Sequence, residues 1–251
     1  MFQMRTHQPF VSLRRCLQAG ELGELQRVSW TVTDWFRTQG YYASSGWRAT
    51  WGGEGGGVLI NQCPHNLDLY QWLFGLPRRV IGFCRFGRYH AIEVEDDVTA
   101  RFEHDGGLHA TFISATGEAP GTNRLEIAGD RGRIIFEQGR LTFVRNRVSA
   151  REFIQTAVVP TGTLPPSDVV ALPDADVGGK HADLMENFVA AILDGAPLVA
   201  PAADGLNSLA LANAILMSAW TNRPVDLPLD AAAYARLLEE RVAKAAVAAS
   251  S

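Results

Sequence analysis

Hydrophobic and polar positions alternate along this chain with two different periods, and the changes of period mark its elements. Residues 9–19 carry apolar side chains at helical spacing and stop at Gly20, a natural helix C-cap. Within residues 26–36, Val28, Trp30 and Val32 alternate with polar residues, as in a strand with one face on a core. An apolar helical run, predicted over 57–74, ends at Gly75-Leu-Pro77 and contains Pro64. From Arg78 to about Pro160 the pattern becomes short alternating runs. Strands are predicted at 79–86, 98–103, 108–114, 124–128, 133–137, 141–145 and 152–159. Glycine-bearing turns at His104-Asp-Gly-Gly107, Gly129-Asp-Arg-Gly132 and Gln138-Gly139 point to consecutive hairpins. Residues 161–178 read as an irregular surface connection. Helices follow over 179–193, 202–219 and 230–246, the last fraying into an Ala-rich tail. The predicted fold is α+β: a large, mainly antiparallel open sheet with helices packed on one face. The other face, with Ile, Phe and Val on it, is expected to build a homo-oligomer.

The most informative stretch runs from Glu54-Gly-Gly-Gly through Asn61-Gln-Cys-Pro64-His65-Asn-Leu-Asp68. On a continuous helix Asn61, His65 and Asp68 fall at i, i+4 and i+7 and share one face. A proline inside that helix removes a backbone hydrogen bond and costs about 3 kcal/mol or more. A solvated or hydrogen-bonded histidine is the ordinary explanation of a lone His on such a face. The neighbouring sequence favours chemistry. Residues 35–51 hold three of the six tryptophans and two of the five tyrosines, with Arg37 and Arg48 among them. This segment lacks either period and reads as a loop, which either walls a pocket or covers a sheet or a partner. Aromatic faces and arginine forks suit a pocket for sugar-like or ring substrates bearing oxygen anions.

Composition narrows the class. The chain has 251 residues, 47% of them hydrophobic, and a formal net charge of −4. Nothing basic is clustered, so neither nucleic acid nor an anionic membrane is an expected partner. No apolar run reaches the ~18 residues of a membrane span, and a cytoplasmic location is expected. Cys16, Cys63 and Cys84 are odd in number and widely spaced, which fits reduced thiols rather than a disulfide framework or a metal site. The glycines of Gly52-Gly-Glu-Gly-Gly-Gly57 do not fit a dinucleotide fingerprint, which needs Gly-x-Gly-x-x-Gly after a strand. They are read instead as places where the backbone turns tightly or lies against something bulky. Glu93, Glu95, Asp96 and Asp97 are read as solvated charge at a turn.

Together these residues resemble the C-terminal portion of a Gfo/Idh/MocA oxidoreductase (glucose–fructose oxidoreductase/inositol dehydrogenase type). The resemblance rests on Arg5 with Ala19-Gly-Glu-Leu-Gly-Glu24, on Gly55 through Asp68, and on Glu95-Asp-Asp97. Gly121-Thr-Asn-Arg-Leu-Glu-Ile-Ala-Gly-Asp-Arg-Gly132 and Asn187-Phe-Val-Ala-Ala-Ile-Leu-Asp-Gly195 complete it. It implies an NAD(P)-dependent oxidation of a sugar or polyol hydroxyl, with hydride passing to nicotinamide and His65 as general base. Asn61 stands where most members have Asp. Arg37, Tyr41, Trp47, Arg48, Asp68 and His181 are implied substrate-binding residues.

The resemblance also implies that residues 1–8 are a remnant of the last strand of a Rossmann domain. Residues 9–251 would then form the substrate-binding and oligomerisation domain. No counterpart of the family's Glu-Lys-Pro motif is present, and Lys180 and Lys244 are the only lysines. The NAD or NADP site is therefore expected to lie outside this sequence. The isolated chain is expected to be inactive without a Rossmann-domain partner. The alternative is a non-catalytic ligand-binding or oligomerisation module.

Overall fold

A computed structural model describes residues 1–158 and 162–249, with side chains up to Val247. Helix α1 (Gln8–Gln18) precedes strand β1 (Leu25–Val32), and the short helices α2 (Gln39–Tyr42) and α3 (Val58–Asn61) lead to α4 (Pro64–Phe74). Six strands follow: β2 (Arg79–Phe86), β3 (Glu95–Glu103), β4 (His109–Ala115), β5 (Asn123–Gly129), β6 (Gly132–Glu137) and β7 (Arg140–Asn146). After them come α5 (Ala150–Thr156), β8 (Ser167–Val170), α6 (His181–Asp194), α7 (Gly205–Thr221), β9 (Val225–Asp226) and α8 (Ala231–Ala249). The hydrogen-bonded strand order is β8-β7-β6-β5-β1-β4-β3-β2-β9. This is the α+β, mainly antiparallel open sheet that the alternating runs predict.

The chain divides into two compact units. One comprises Met1–Ser29, Gly107–His109 and Arg124–Ala202. Its hairpins β5–β6 and β6–β7 keep strict register, Ile127 opposite Ile134 and Ile134 opposite Phe143. Those side chains are fully buried. Phe10 of α1 meets Phe136 of β6, their rings 4.8 Å apart. The β6–β7 turn has Gln138 and Gly139 both at positive φ, as a two-residue hairpin turn demands.

The other unit comprises Trp30–Gly106, Ala110–Asn123 and the residues from Ala203 on. Here β2 pairs with β3, placing Val80 opposite Phe102 and Gly82 opposite Ala100. This buried face receives α7 and α4: Gly82 N–H donates to the Ser218 hydroxyl at 2.9 Å, and Tyr70 packs on Phe102 with ring centres 4.7 Å apart. On the opposite face of β2, Phe83 is 65% exposed. Helix α8 docks through Arg241, whose guanidinium lies over the rings of Trp220, Phe86 and Trp51.

Four local expectations change. Residues 57–74 are not one helix: α3 closes at Asn61, the Cys63 N–H reaches back to Val58 O, and α4 starts afresh at Pro64. Proline at the first helical position removes no helical hydrogen bond, so the sequence breaks where Pro64 makes the break cheapest. The strand expected at 152–159 is helix α5, and residues 159–161 lie outside the described residues. Ser149 accepts from the Glu152 N–H at 3.1 Å; this Ser-x-x-Glu helix-start signal outweighs the β-propensity of Phe153 and Ile154. The connection at 161–178 contains strand β8, paired to β7. Residues 3–6, read as the end of a strand, form a 3-10 turn in which Arg5 is buried and donates to Val199 O at 3.2 Å.

A β-carbon at Gly82 would overlap the Ile215 carbonyl of α7. Gly82→Ala should therefore destabilise the chain by about 2 kcal/mol or more, since helix and strand must part. Urea unfolding measures this; a loss below about 0.5 kcal/mol would show that the seam can yield.

Candidate functional site

Backbone geometry around the glycine run places the site. The side chain of Glu95, at the start of β3, is fully buried, and its Oε1 accepts from the N–H groups of Gly57 and Leu59 at 2.8 and 3.0 Å. A β-carbon at Gly57 would overlap the Glu95 carbonyl, so glycine is required there for close approach. Burial pushes the Glu95 carboxyl up to about 7, opposed by hydrogen bonds from the Leu59, Glu95 and Gly57 amides and reinforced by the charge of Glu54. This overturns the reading of Glu95 as solvated charge, whereas Glu93 of the same cluster is exposed. Asp96 is as buried as Glu95 and accepts from the N–H groups of Arg88, Tyr89 and His90. Both carboxylates satisfy backbone donors that no strand or helix takes up.

From this anchor α3 presents Asn61 to the aromatic loop. Arg48 Nη1 donates to Tyr41 Oη at 2.8 Å, and Tyr41 Oη donates to Asn61 Oδ1 at 3.0 Å. Buried Gln62 adds a second bond to Asn61 Oδ1 at 2.6 Å. Asn61 Nδ2 donates to Glu54 Oε1, and Glu54 Oε2 accepts from the Ala49 N–H at 2.8 Å. Because a carboxylate only accepts, the amide nitrogen of Asn61 must face Glu54. The result is a directed chain of hydrogen bonds, Arg48 to Tyr41 to Asn61 to Glu54. Glu54 and Gln62 were not singled out by sequence reasoning. The available signal was an acidic residue inside a glycine run, seven positions before Asn61.

The remaining expected residues sort by position. Arg37 lies over the Tyr41 and Trp35 rings at 4.9 and 5.7 Å, and Arg48 over Tyr41 and Trp47 at 4.6 and 4.7 Å. Thus Arg37, Tyr41, Trp47, Arg48 and Asn61 form one cluster. His90 fastens it from outside: Nε2 meets Arg37 O at 2.9 Å, Nδ1 meets Asp96 at 3.0 Å, and the ring packs on Tyr42. A cleft of about 490 Å³ beside the cluster is lined by Gln39, Tyr42, Arg48, Thr50, Ile92 and Glu93, among others. His65 is the second residue of α4, part-exposed, four positions beyond Asn61. Asp68 is 1% exposed and accepts from Gln71 at 3.1 Å, so it faces the interior. His181 opens α6 in the other unit and is exposed. Cys63 is buried against Ser114, and its thiol is pushed up to about 12 by burial, which makes it inert.

The glycine run before α3 does not fit a dinucleotide-binding loop. The amides at the glycine-led start of α3 are taken by Glu95, and no strand leads into them. Among the described residues no group of three or more His, Cys, Asp or Glu could hold a metal, and no helix is long and apolar enough to cross a membrane.

A sequence profile of the GFO/IDH/MocA C-terminal domain matches residues 10–135. No curated protein sequence matches the chain. Among solved structures it is similar to the WlbA dehydrogenase of Chromobacterium violaceum in complex with NADH and UDP-GlcNAcA. Identity is 26%, the TM-score 0.75, and the match covers 92% of this chain and 62% of that one. The Bordetella pertussis WlbA dehydrogenase matches at 22% identity and TM-score 0.72, over 92% of this chain and 63% of that one. A levoglucosan dehydrogenase solved with NADH and levoglucosan matches at 19% and 0.66, over 90% and 64%. The chain thus spans less than two thirds of each of these structures.

Glu95 also sets a pH dependence. A carboxyl raised from 4.5 to about 7 stabilises the fold fully below its unfolded value and loses that contribution as pH rises to about 7. Glu95→Gln keeps the acceptor without the charge. Relative to the Glu95→Gln variant, the parent chain should lose on the order of 2–3 kcal/mol between about pH 5 and pH 7. Urea midpoints across this range are the check, and a pH-independent difference would refute it.

Proposed function

Because the chain belongs to the GFO/IDH/MocA family, we propose that it forms the substrate-binding part of an NAD(P)-dependent sugar or polyol oxidoreductase. The observation that carries the proposal is the hydrogen-bonded chain from Arg48 through Tyr41 and Asn61 to Glu54. Asn61, the third member of that chain, lies four residues before His65, the second residue of α4. The sugar ligands of the WlbA and levoglucosan dehydrogenase structures support the substrate class.

In this reading His65 takes the proton from the reacting hydroxyl as general base. Asn61 has both Oδ1 acceptor sites filled and one Nδ2 hydrogen left, so it orients the hydroxyl by donating to its oxygen. Tyr41 and Trp47 offer ring faces to the apolar side of a sugar, and Arg37 and Arg48 hold its oxygens. The nicotinamide cofactor, which receives the hydride when bound, is held outside the described residues by a Rossmann domain. A second copy of the chain pairs with the open sheet face that displays Phe83.

The decisive measurement is turnover of the full-length protein, or of this chain complemented by a Rossmann-domain partner. His65→Ala should lower kcat by roughly 10²-fold or more, as loss of a general base does. Full turnover in that variant would remove His65 from the chemistry. The cluster would then be a binding module without catalysis.

A further inference from the structure

Several arginines of this molecule are held by carboxylates. Arg79, Arg88, Arg124 and Arg147 each pair with a carboxylate on a neighbouring strand or turn. Arg37 and Arg48 do not: among the described residues no carboxylate lies within ion-pairing reach of either. The partners they do have are neutral. Arg37 Nη1 donates to Phe36 O at 3.0 Å, and Arg48 Nη1 donates to the Tyr41 hydroxyl at 2.8 Å. In both side chains Nε is buried without a hydrogen-bond acceptor.

Both guanidiniums lie within 5 Å of the centre of one ring, that of Tyr41. Two like charges gathered on one phenol repel each other, and the contact with the ring offsets only part of that. The arrangement is nevertheless fixed from both ends. The Arg37 backbone is held by Thr116 O and by His90, and Arg48 by Tyr41 and the stack on Trp47. Carboxylates were available nearby, but Glu54 turns to the Ala49 amide and the Asn61 side chain, and Glu93, between β2 and β3, turns to the Trp51 amide. A pair of oriented, partly desolvated guanidiniums without a counter-ion, beside an open cleft that Arg48 lines, is a receptor for an anion.

We infer that Arg37 and Arg48 form an anion subsite, so that the sugar or polyol taken by this pocket carries a carboxylate or a phosphate. The inference rests on the sugar-pocket reading above and specifies it. Arg37 and Arg48 are the residues that determine this specificity; the Tyr41 hydroxyl, held between Arg48 and Asn61, links the anion end of the ligand to the hydroxyl that reacts.

The test is calorimetric titration of the 251-residue chain with glucuronate, glucose 6-phosphate, glucose and inorganic phosphate. At least one charged sugar should bind tenfold or more tighter than glucose. Comparing glucuronate with glucose 6-phosphate tells carboxylate from phosphate. Arg37→Gln and Arg48→Gln should each lower the affinity for the charged sugar at least tenfold and that for glucose by a much smaller factor, so that the preference for the charged sugar collapses, with circular dichroism confirming the fold. If one variant fails to fold, the other together with weakening by added salt carries the test. Equal binding of glucose and the charged sugars would overturn the anion subsite while leaving the sugar pocket standing. So would an anion preference that survives both substitutions. Inorganic phosphate binding as tightly as the charged sugars would reduce the site to an adventitious anion site and overturn it too. Binding of no sugar at all would remove the pocket reading along with it.

Discussion

One buried carboxylate positions the rest of the site. Helix α3 has a single turn, far too short to persist by its own hydrogen bonds. It exists because Glu95 takes its first amides and because Gly57 lets the chain lie against the Glu95 carbonyl. Everything that follows inherits this placement. Asn61 ends the turn, Gln62 locks its amide, Cys63 packs on Ser114 of β4, and Pro64 restarts the helix that carries His65. One buried carboxyl oxygen thus fixes a loop, a helix turn and a helix start at once, by accepting two backbone N–H groups that would otherwise be buried unpaired.

The same device recurs around the aromatic loop. A segment of residues 35–57 with only one helical turn has many backbone N–H groups to satisfy, and side-chain carboxylates satisfy several of them. Glu54 takes Ala49, Glu93 takes Trp51, and Asp96 collects three successive amides on the far side of His90. Aromatic packing completes the frame, with Arg241 of α8 set over Trp51, Phe86 and Trp220. The acidic residues of this region are therefore splints. Its uncommitted charge is positive.

Much of the fold was legible because its signals are local. Alternation in Val28-Ser-Trp30-Thr-Val32 and the Gln138-Gly139 turn each specify a strand or hairpin without help from distant residues. The errors arise where two local signals compete: Phe153 and Ile154 favour a strand, but Ser149 and Glu152 begin a helix. At the site, the aromatic and arginine cluster with Asn61 was legible as composition. Glu54 and Glu95 were not, because their roles depend on contacts with Asn61 and Gly57, 7 and 38 residues away, and Gln62 acts only through the Asn61 amide so placed. Charge in a sequence does not reveal whether it is solvated or buried, and Glu95 and Asp96 show the cost of assuming the first.

Asn61 shows how such contacts suit an amide at a position where the resemblance implies an aspartate. An aspartate at this position would set its carboxylate directly against Glu54, and two like charges at hydrogen-bond distance cannot both remain ionised. The amide removes the conflict and uses Glu54 as its acceptor, while its carbonyl accepts from Tyr41 and Gln62. A negative charge therefore lies one hydrogen bond beyond Asn61, on a side chain also fastened to the Ala49 amide. Asn61 and Glu54 are therefore a matched pair. Either one restored alone to a different charge state would break the direction of the hydrogen bonds that run from Arg48 to the glycine loop.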